Sequence, residues 1–273
     1  APGTYELSAR VTAKYVTIIG DPGNPESVVI RRPGTCGSGS NMGLFILNNT
    51  TMTGVTLENA KGSAAAHMTA SVLSNAVVRN CYTHDINQHS AIYMATYSKL
   101  FNSVVSNNYL RGTGNYYSNG YTFGNIAINS DGLVSNCLIT ANFTGAIGAG
   151  VAANSKATIY DCVFTKNWSG VAVKVVSELI VTNGFMKMQD NSTWTYSGWP
   201  QGTGGYKGTY YRCVFQDNEA VGDGRPANGS AVYGATVYDS LITDNRSKSS
   251  GGGGAEDCTL VGCTVANNTG RVG

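Results

Sequence analysis

The sequence contains few charged residues and no charged cluster. Charged side chains make up 12% of the 273 residues, and the formal net charge is only +2, whereas an ordinary globular domain carries about 25% charged residues. The longest basic run is the pair Arg31-Arg32, which is too short to neutralise a row of phosphates. The sequence therefore predicts that nucleic acid is not a partner.

Long apolar runs are also missing. No stretch approaches the roughly 18 consecutive apolar residues that a membrane-spanning helix needs. No charged segment followed by an apolar one opens the chain, as it does in a secretion signal. The sequence thus predicts neither a membrane span nor a signal of its own. It also lacks the sustained apolar spacing of three or four residues that marks helices, so any helices are expected to be short.

Glycine and apolar residues are plentiful. There are 35 glycines, and hydrophobic residues make up 42% of the chain. This hydrophobic content is sufficient for a core, so the low charge does not indicate the kind of disorder that comes with high charge and few apolar residues.

A repeated segment runs through the chain. It is seen as SNCLITAN, YDCVFTKN, YRCVFQDN, YDSLITDN and VGCTVANN. A Cys or Ser, which we call the anchor, is followed five positions later by an asparagine. The pairs are Ser103/Asn108, Cys137/Asn142, Cys162/Asn167, Cys213/Asn218, Ser240/Asn245 and Cys263/Asn268, and Cys81 with Asn87 is interpreted as a looser member.

The residue before most anchors predicts a bend between two short strands. Asn, Asp and Gly adopt the left-handed backbone that such bends require, and they stand at Asn80, Asn102, Asn136, Asp161, Asp239 and Gly262. Successive anchors are 22 to 34 residues apart, except for a step of 51 residues from Cys162 to Cys213. We interpret this long step as two coils, with a weak extra anchor near Gly184.

Units of this length and composition cannot bury an apolar face alone, but stacked copies can, which predicts a β-solenoid. With its NCxIxxN-like coils, its Gly251 to Gly254 run and its APGTYEL opening, the chain resembles the right-handed parallel β-helix proteins of the pectin lyase-like group, specifically the bacterial surface type. We therefore predict one all-β domain over residues 1–273. It is a right-handed parallel β-helix of about nine to eleven coils of 22–29 residues, with two longer aromatic loop insertions.

The resemblance does not decide the function, because that group includes polysaccharide lyases, glycoside hydrolases, phage tailspikes and adhesins. The hydrolases of the group use Asp motifs of the NTD, DD and RIK kind, and these strings do not occur here. The lyases bind Ca²⁺ through clustered carboxylates, whereas the 16 acidic residues of this chain are mostly scattered singly.

The cysteines are expected to be free and buried. Most of the seven occupy the anchor, where Ser substitutes for Cys, and a small inward-facing residue explains that exchange. A bridge between Cys258 and Cys263, or one involving Cys36, remains the alternative. The sequence does not predict a zinc site, because no segment brings paired cysteines and histidines together at the spacing of zinc ligands.

Three histidines form the main catalytic candidate. His84 and His89, with Asp85 as an orienting carboxylate, can supply a general base for a lyase or hydrolase. His67 precedes His89 by 22 residues, so the two can stack on adjacent coils near Tyr93. The alternative is that these histidines are solvated turn residues.

Two aromatic insertions are the ligand-binding candidates. Exposed aromatic rings on loops of a rigid scaffold suit flat ligands such as sugars, and the alternative is that the rings pack on the solenoid flank. The candidate residues are Tyr116, Tyr117 and Tyr121 in the first insertion and Trp194, Tyr196, Trp199 and Tyr206 in the second.

One acidic turn is a candidate cation site. Asp217, Glu219 and Asp223 follow the Cys213 anchor, and their oxygens suit Ca²⁺, although such turns are commonly solvated surface. We expect no cofactor, with Ca²⁺ as the alternative.

The leading functional prediction is a non-catalytic, extracellular bacterial surface module for adhesion or glycan contact, with a polysaccharide or cell-surface glycan as partner. A polysaccharide lyase, or less readily a glycoside hydrolase, is the alternative, and a self-assembling fibre unit is the third. Because both ends are abrupt and solenoids need polar caps, we expect a segment of a longer protein or ends that meet further coils.

Overall fold

A computed structural model describes residues 1–33, 43–83, 91–110, 124–145, 148–153, 156–170, 175–182, 185–192, 201–221 and 229–271. The described residues form four parallel sheets, which we number in the order in which each coil passes through them. Within each of these sheets, a strand pairs with the equivalent strands of the neighbouring coils. The architecture is a parallel β-helix, as the repeat predicts.

Sheets 1 and 2 are the first two that each coil enters. The strands of sheet 1 are Val11–Lys14, Phe45–Asn48, Ala66–Thr69, Ile92–Met94, Ile126–Ile128, Val151–Ala153, Gly205–Tyr206, Val232–Tyr233 and Ala255–Glu256. The strands of sheet 2 are Thr17–Ile19, Thr51–Thr53, Val72–Ser74, Lys99–Phe101, Leu133–Ser135, Thr158–Tyr160, Thr209–Tyr211, Thr236–Tyr238 and Thr259–Val261.

Sheets 3 and 4 complete each coil. The strands of sheet 3 are Gly3–Glu6, Val28–Arg31, Thr56–Glu58, Val77–Arg79, Val104–Ser106, Leu138–Thr140, Val163–Thr165, Val214–Gln216, Leu241–Thr243 and Thr264–Ala266. The strands of sheet 4 are Tyr82–Thr83, Tyr109–Leu110, Phe143–Thr144, Trp168–Gly170, Glu219–Val221, Arg246–Ser250 and Thr269–Arg271. Ten strands cross sheet 3 in the described ranges, within the predicted nine to eleven coils.

Two further elements lie outside the parallel sheets. A 3₁₀ turn spans Pro25–Ser27, and an antiparallel hairpin pairs Val175–Thr182 with Phe185–Ser192. In the part of the chain that the structure describes, no helix has the length and apolarity needed to cross a membrane.

The core follows from the alternation of side chains along short strands. The middle residue of each three-residue strand of sheets 2 and 3 points inward, and its neighbours point outward. The inward residues stack into apolar columns. In sheet 2 the fully buried members are Met52, Leu73, Leu100, Val134, Ile159, Tyr210 and Val237, and in sheet 3 they are Leu57, Val78, Val105, Ile139, Phe164, Phe215 and Ile242.

The bends between strands use left-handed backbone, as predicted. Asn102, Asn136, Asp161 and Asp239 have φ between 48° and 52°, and Gly262 has φ of 65°. They join sheet 2 to sheet 3 one residue before the anchor. A second row of left-handed residues joins sheet 3 to sheet 4, and Asn80 belongs to this row: Asn59, Asn80, Asn107, Ala141, Lys166, Asp217, Asp244 and Asn267.

The assignment of Cys81 to the anchor position is wrong. Val77 pairs with Val104 across sheet 3, so Cys81 aligns with Asn108 and the anchor position of its coil is held by Ala76. The backbone N–H of Cys81 donates to Asn108 Oδ1 (3.0 Å), and that of Ala76 donates to Ser103 Oγ (3.2 Å). Cys81 therefore begins the asparagine column and does not belong to the thiol column.

The interpretation of the 51-residue step as two coils is also wrong. Phe164 pairs directly with Phe215 in sheet 3, and Trp168 pairs with Glu219 in sheet 4. The step is therefore one coil that carries the antiparallel hairpin as an insertion. Gly184, interpreted as a weak anchor, falls in the two-residue connection between Thr182 and Phe185, which lies outside the described residues.

The repeat asparagines form a buried hydrogen-bonded ladder. Each Nδ2 donates to the Oδ1 of the next asparagine at 2.9 to 3.1 Å. Each Nδ2 also donates to a backbone carbonyl of the preceding coil, as Asn167 does to Ile139 (3.0 Å). The ladder runs through Asn108, Asn142, Asn167, Asn218, Asn245 and Asn268, and it satisfies polar groups that the core would otherwise leave unpaired.

The anchor cysteines form a second buried column. Cys137, Cys162 and Cys213 are at most 3% exposed and are free thiols, which confirms the predicted small inward-facing residue. Hydrogen bonds to the flanking thiols of Cys137 and Cys213, together with burial, raise the pKa of Cys162, so this thiol stays protonated. Cys258 and Cys263 are also free, so the alternative bridge between them is wrong, and Cys36 lies outside the described residues.

Candidate functional site

Most of the sequence-predicted site residues fall outside the described residues. This holds for the catalytic candidates His84, Asp85 and His89, and for Asp223 of the acidic turn. It also holds for six of the seven aromatic candidates, namely Tyr116, Tyr117, Tyr121, Trp194, Tyr196 and Trp199. These assignments stay predictions, and the site is built from the residues that the structure does describe.

His67 lies on the outer face of sheet 1 beside Tyr93. The two residues are register partners on adjacent coils, with ring centroids 4.5 Å apart in an edge-on arrangement. Asn129, on the following coil, donates a hydrogen bond from Nδ2 to Tyr93 Oη (3.1 Å). From the sequence, we expect His67 to stack on His89, 22 residues later. The register partner of His67 on the next coil is instead Tyr93.

The surroundings of His67 favour its neutral form. Burial, with a smaller contribution from the charge of Arg10, lowers its pKa below the ordinary 6.5. A neutral imidazole keeps one ring nitrogen as a hydrogen-bond acceptor. His67 can therefore accept a hydrogen bond, or a proton, from a ligand hydroxyl on this face.

A second surface feature is a cleft of about 310 Å³ over the turn between sheets 3 and 4. It crosses three consecutive coils. Its lining residues are Lys166, Asn167, Trp168, Asp217, Asn218, Glu219, Asp244 and Arg246. We call this feature the turn cleft.

The local fold explains how these side chains come together. Lys166, Asp217 and Asp244 are left-handed turn residues with φ between 54° and 57°. The ladder asparagine that follows each of them points inward and is hydrogen-bonded to its neighbours. The residues on either side of that asparagine therefore line the outside of the bend. They form two parallel rows, Lys166, Asp217 and Asp244 in one and Trp168, Glu219 and Arg246 in the other.

Within the described residues, only some of the charged side chains in the turn cleft form a salt bridge with an opposite charge. Glu219 makes an ion pair with Lys248 and is the register partner of Arg246. Asp217 and Asp244 occupy equivalent positions on adjacent coils, about 4.8 Å apart along the solenoid axis. Asp244 Oδ2 accepts a hydrogen bond from Thr243 Oγ1 (2.9 Å). Among the described residues, neither aspartate takes part in a salt bridge.

Trp168 ends a buried stack of aromatic rings. Its ring centroid lies 4.5 Å from that of Phe143, which in turn lies 4.6 Å from that of Tyr109. Tyr82, Tyr109 and Phe143 are buried, whereas Trp168 is half-buried where the stack meets the turn cleft. The indole thus presents a rigid apolar wall to the cleft.

Sequence reasoning missed Trp168, Lys166 and Asp244, because they belong to the repeat, where each resembles an ordinary turn or strand residue, and lie outside the aromatic insertions. A signal was present. An aromatic residue follows the ladder asparagine on three successive coils, at Tyr109, Phe143 and Trp168. Such a column marks an aromatic face whose last member can be exposed.

Tyr206 is the one predicted aromatic that is described, and it lies in a strand of sheet 1. Its ring stacks on that of Tyr233, with centroids 5.9 Å apart and planes at 4°, and Lys207 Nζ lies 5.1 Å from the Tyr206 centroid. Tyr206 therefore belongs to the sheet 1 face and does not line the turn cleft.

Two members of the acidic turn, Asp217 and Glu219, line the cleft together. A Ca²⁺ site needs several oxygen ligands around one point. Within the described residues, no group of three or more His, Cys, Asp or Glu side chains is arranged to hold a metal ion. The Ca²⁺ alternative stays a prediction.

The chain matches a family model described as "Right handed beta helix region", over residues 35–192. The match confirms the predicted handedness of the solenoid. No curated protein and no solved structure matches the chain significantly. The family therefore specifies the scaffold, and the function has to be argued from the site.

Proposed function

The chain belongs to the right-handed β-helix family, and on this scaffold we propose that it is an extracellular module that binds glycan chains in the turn cleft without cleaving them. The observation that supports the proposal is the cleft itself. A half-buried indole lies beside a row of charged hydrogen-bonding side chains. Sugar rings combine an apolar face with a rim of hydroxyls, and this pairing of surfaces suits them.

The scaffold favours an extended ligand over a compact one. The cleft residues repeat from coil to coil at the strand spacing of about 4.8 Å, so equivalent groups recur along the solenoid axis. Trp168, Asp217 and Asp244 lie on three successive coils. A linear glycan lying along the axis can contact the indole at one end and the two carboxylates further on.

The site is also rigid before any ligand arrives. The ladder asparagines beneath the cleft are fully buried and hydrogen-bonded on both sides. A preorganised surface loses little conformational entropy when it binds. Asp217 and Asp244 form no salt bridge within the described residues, so they can accept hydrogen bonds from sugar hydroxyls without breaking an ion pair there.

The test is affinity gel electrophoresis of the purified chain in gels that contain neutral or acidic polysaccharides. Trp168→Ala is expected to weaken binding about tenfold or more, because losing the indole contact removes about 1.4 kcal/mol or more. Asp217→Asn with Asp244→Asn keeps residues that tolerate left-handed backbone and is expected to weaken binding through the lost charge-assisted hydrogen bonds.

Asp239→Asn is the matched control. Asp239 has the same left-handed conformation (φ 48°) but lies in the turn between sheets 2 and 3. It is expected to leave retardation unchanged. The proposal fails if no polysaccharide retards the wild-type chain, or if the cleft variants and the control bind equally well.

The His67 face supports a second candidate function, a polysaccharide lyase acting on sheet 1. Here the supporting observation is the neutral His67 in contact with Tyr93, since a neutral imidazole is suited to general base catalysis. Incubation with the same polysaccharides, following reducing ends and the ultraviolet absorbance of unsaturated uronates, decides between the two. New ends that disappear in His67→Gln favour the enzyme and overturn the non-catalytic proposal.

A further inference from the structure

The outer face of sheet 2 carries an isolated stack of three tyrosines. Tyr160, Tyr211 and Tyr238 are register partners on consecutive coils, and all three are half-buried. The column ends at Ser135 on one side and Val261 on the other. No part of the proposed glycan contact uses this face.

The rings are held face to face. The centroids of Tyr160 and Tyr211 lie 4.8 Å apart with planes at 15°, and those of Tyr211 and Tyr238 lie 4.8 Å apart with planes at 7°. Because neighbouring strands run parallel and in register and the ring planes are nearly parallel, equivalent atoms of adjacent rings are separated by about the same 4.8 Å as the centroids. The ortho carbons of neighbouring rings are therefore close in space.

Arg212 fixes one end of the stack. Its guanidinium lies 5.8 Å from the centroid of Tyr160 and donates hydrogen bonds from Nε and an Nη to the two carboxylate oxygens of Asp161 (2.8 and 3.0 Å). The tyrosines thus form an ordered stack on a rigid sheet with its outer edge toward solvent.

We propose that Tyr160, Tyr211 and Tyr238 form a site of oxidative cross-linking, at which a peroxide-driven haem peroxidase joins neighbouring coils through dityrosine. One-electron oxidation removes the phenolic hydrogen from each of two adjacent rings and leaves radicals shared between the oxygen and the ortho carbons. The radicals combine to form one carbon–carbon bond between ortho positions. Each ring then transfers its ortho hydrogen to its own oxygen, which restores both phenols.

The reaction balances with hydrogen peroxide as the oxidant. The two tyrosines lose two hydrogen atoms in total, and one peroxide accepts them and becomes two water molecules. The geometry favours coupling within one chain, because adjacent rings are already in contact and need no encounter between molecules. The new bond closes a chain segment of 51 residues between Tyr160 and Tyr211, or of 27 between Tyr211 and Tyr238, and so restricts the unfolded state as a disulfide does.

The experiment treats the purified chain with a haem peroxidase and limiting hydrogen peroxide, followed by trypsin digestion and mass spectrometry. The three tyrosines fall in separate tryptic peptides, 157–166, 208–212 and 213–246. The expected products are 208–212 linked to 157–166 or to 213–246, lighter than the sum by two hydrogens. The treated chain stays monomeric on a denaturing gel, shows dityrosine fluorescence, and needs more urea to unfold.

Tyr211→Phe is the deciding variant, because it removes the middle phenol from both pairs and keeps the ring. It is expected to lose both linked peptides. Tyr233→Phe is the matched control, since Tyr233 is a half-buried tyrosine of the separate Tyr206 stack on sheet 1, and it is expected to retain them. Melting followed by circular dichroism checks that both variants fold.

Two results overturn the proposal. One is dityrosine that forms only between chains, since this requires no stacked pair. The other is linked peptide that persists in Tyr211→Phe, since peptide 208–212 also contains Tyr210. A glycan-binding result of either sign leaves this test unaffected, because the cleft and the stack share no residue.

Discussion

The hydroxyl group of Tyr210 fills the space that a side chain on Gly205 would need. A Cβ built on Gly205 lies 2.5 Å from Tyr210 Oη. Gly205 pairs with Val151 and Val232 in the inward column of sheet 1, and Tyr210 stands between Ile159 and Val237 in that of sheet 2. One coil thus places its largest and its smallest inward residues opposite each other, so that the core keeps its volume.

The first prediction is a coupling between these two positions. Gly205→Ala is expected to lower the free energy of unfolding by roughly 1 to 3 kcal/mol through overpacking. In a Tyr210→Phe background the same change is expected to cost less than in the wild-type chain, because the nearest obstructing atom, the hydroxyl oxygen, is gone, while ring carbon Cζ stays 2.8 Å from the built Cβ. Urea unfolding of the two single variants and the double variant measures the coupling. Strictly additive effects would contradict this account.

Tyr210→Phe alone provides a further check on the same pair. The hydroxyl of Tyr210 is buried and has no hydrogen-bond partner among the described residues, and its burial raises its pKa. Removing an unsatisfied buried hydroxyl is expected to leave stability unchanged or to raise it by up to about 1 kcal/mol. A clear loss of stability would indicate that the hydroxyl has a partner.

The second prediction concerns the asparagine ladder. Asn167→Ala removes the acceptor of the Asn142 N–H and the donor to the Ile139 carbonyl, both of which are buried. Leaving buried groups unpaired costs about 1 to 3 kcal/mol each, so we expect roughly 2 to 5 kcal/mol of destabilisation in urea unfolding. Because the ladder is one hydrogen-bonded network, the hydrogen bonds of the neighbouring asparagines, Asn142 and Asn218, are expected to weaken as well.

Asn136→Gly serves as the matched control for the ladder. The Nδ2 of Asn136 donates a similar hydrogen bond to Asn102 Oδ1 (2.9 Å), but on the exposed side of the bend. Glycine tolerates its left-handed backbone (φ 50°). The expected loss is less than about 1 kcal/mol, because water replaces an exposed partner. Equal losses at Asn136 and Asn167 would argue against a special role for the buried ladder.

The repeat made the fold predictable because its spacing and its turn chemistry agree. Asn136 and Asp161 precede inward anchors and adopt the left-handed backbone that their side chains favour. The assignment of Cys81 failed because Cys fits two inward positions of the coil, the anchor and the ladder site. Only the strand register, which pairs Val77 with Val104, separates them.

The candidate site was less predictable, because its residues become neighbours only through the stacking of coils. Lys166 and Asp217 are 51 residues apart in sequence, Asp217 and Asp244 are 27 apart, and each resembles an ordinary turn residue. The irregular 51-residue step concealed the alignment of Trp168 with Glu219. The inserted hairpin did have a local signal, since Asn183-Gly184 between apolar runs is the pair that favours a tight hairpin.

The third prediction follows from that hairpin. Val175 and Ser192 are paired at its base, so the chain enters and leaves the hairpin at nearly the same place. Deleting residues 175–192 and closing the gap with one glycine is expected to preserve the solenoid. The change in unfolding free energy is expected to be less than about 1 kcal/mol, as for a shortened loop. Urea unfolding followed by circular dichroism measures it.

Deletion of a complete coil would have a different result. It would remove inward residues from every sheet and break the ladder contact between Asn167 and Asn218. If the variant that lacks the hairpin, residues 175–192, is insoluble or unfolded, that result contradicts the assignment of the 51-residue step to one coil. A deletion of residues 214–240, which is one full coil from Val214 to the residue before Leu241, is the matched comparison, and it is expected to lower stability more.

The fourth prediction is the pH dependence that His67 confers. Its pKa in the folded chain lies below the ordinary 6.5, through burial first and Arg10 second. Between these two values the unfolded chain binds more protons than the folded one. The free energy of unfolding is therefore expected to rise as pH increases through this window, and to level off above about pH 6.5. Urea unfolding at steps from about pH 5 to about pH 8 measures the slope.

Two variants assign that slope to His67. His67→Gln is expected to flatten it, because glutamine does not titrate. Arg10→Gln is expected to raise the pKa of His67, followed by its ring proton resonances in NMR, since removing a nearby positive charge favours the imidazolium. A slope that is unchanged in His67→Gln would place the titrating group elsewhere. A pKa that does not move in Arg10→Gln would leave burial as the sole cause of the shift, with the neutral imidazole still available to a ligand on the face of sheet 1.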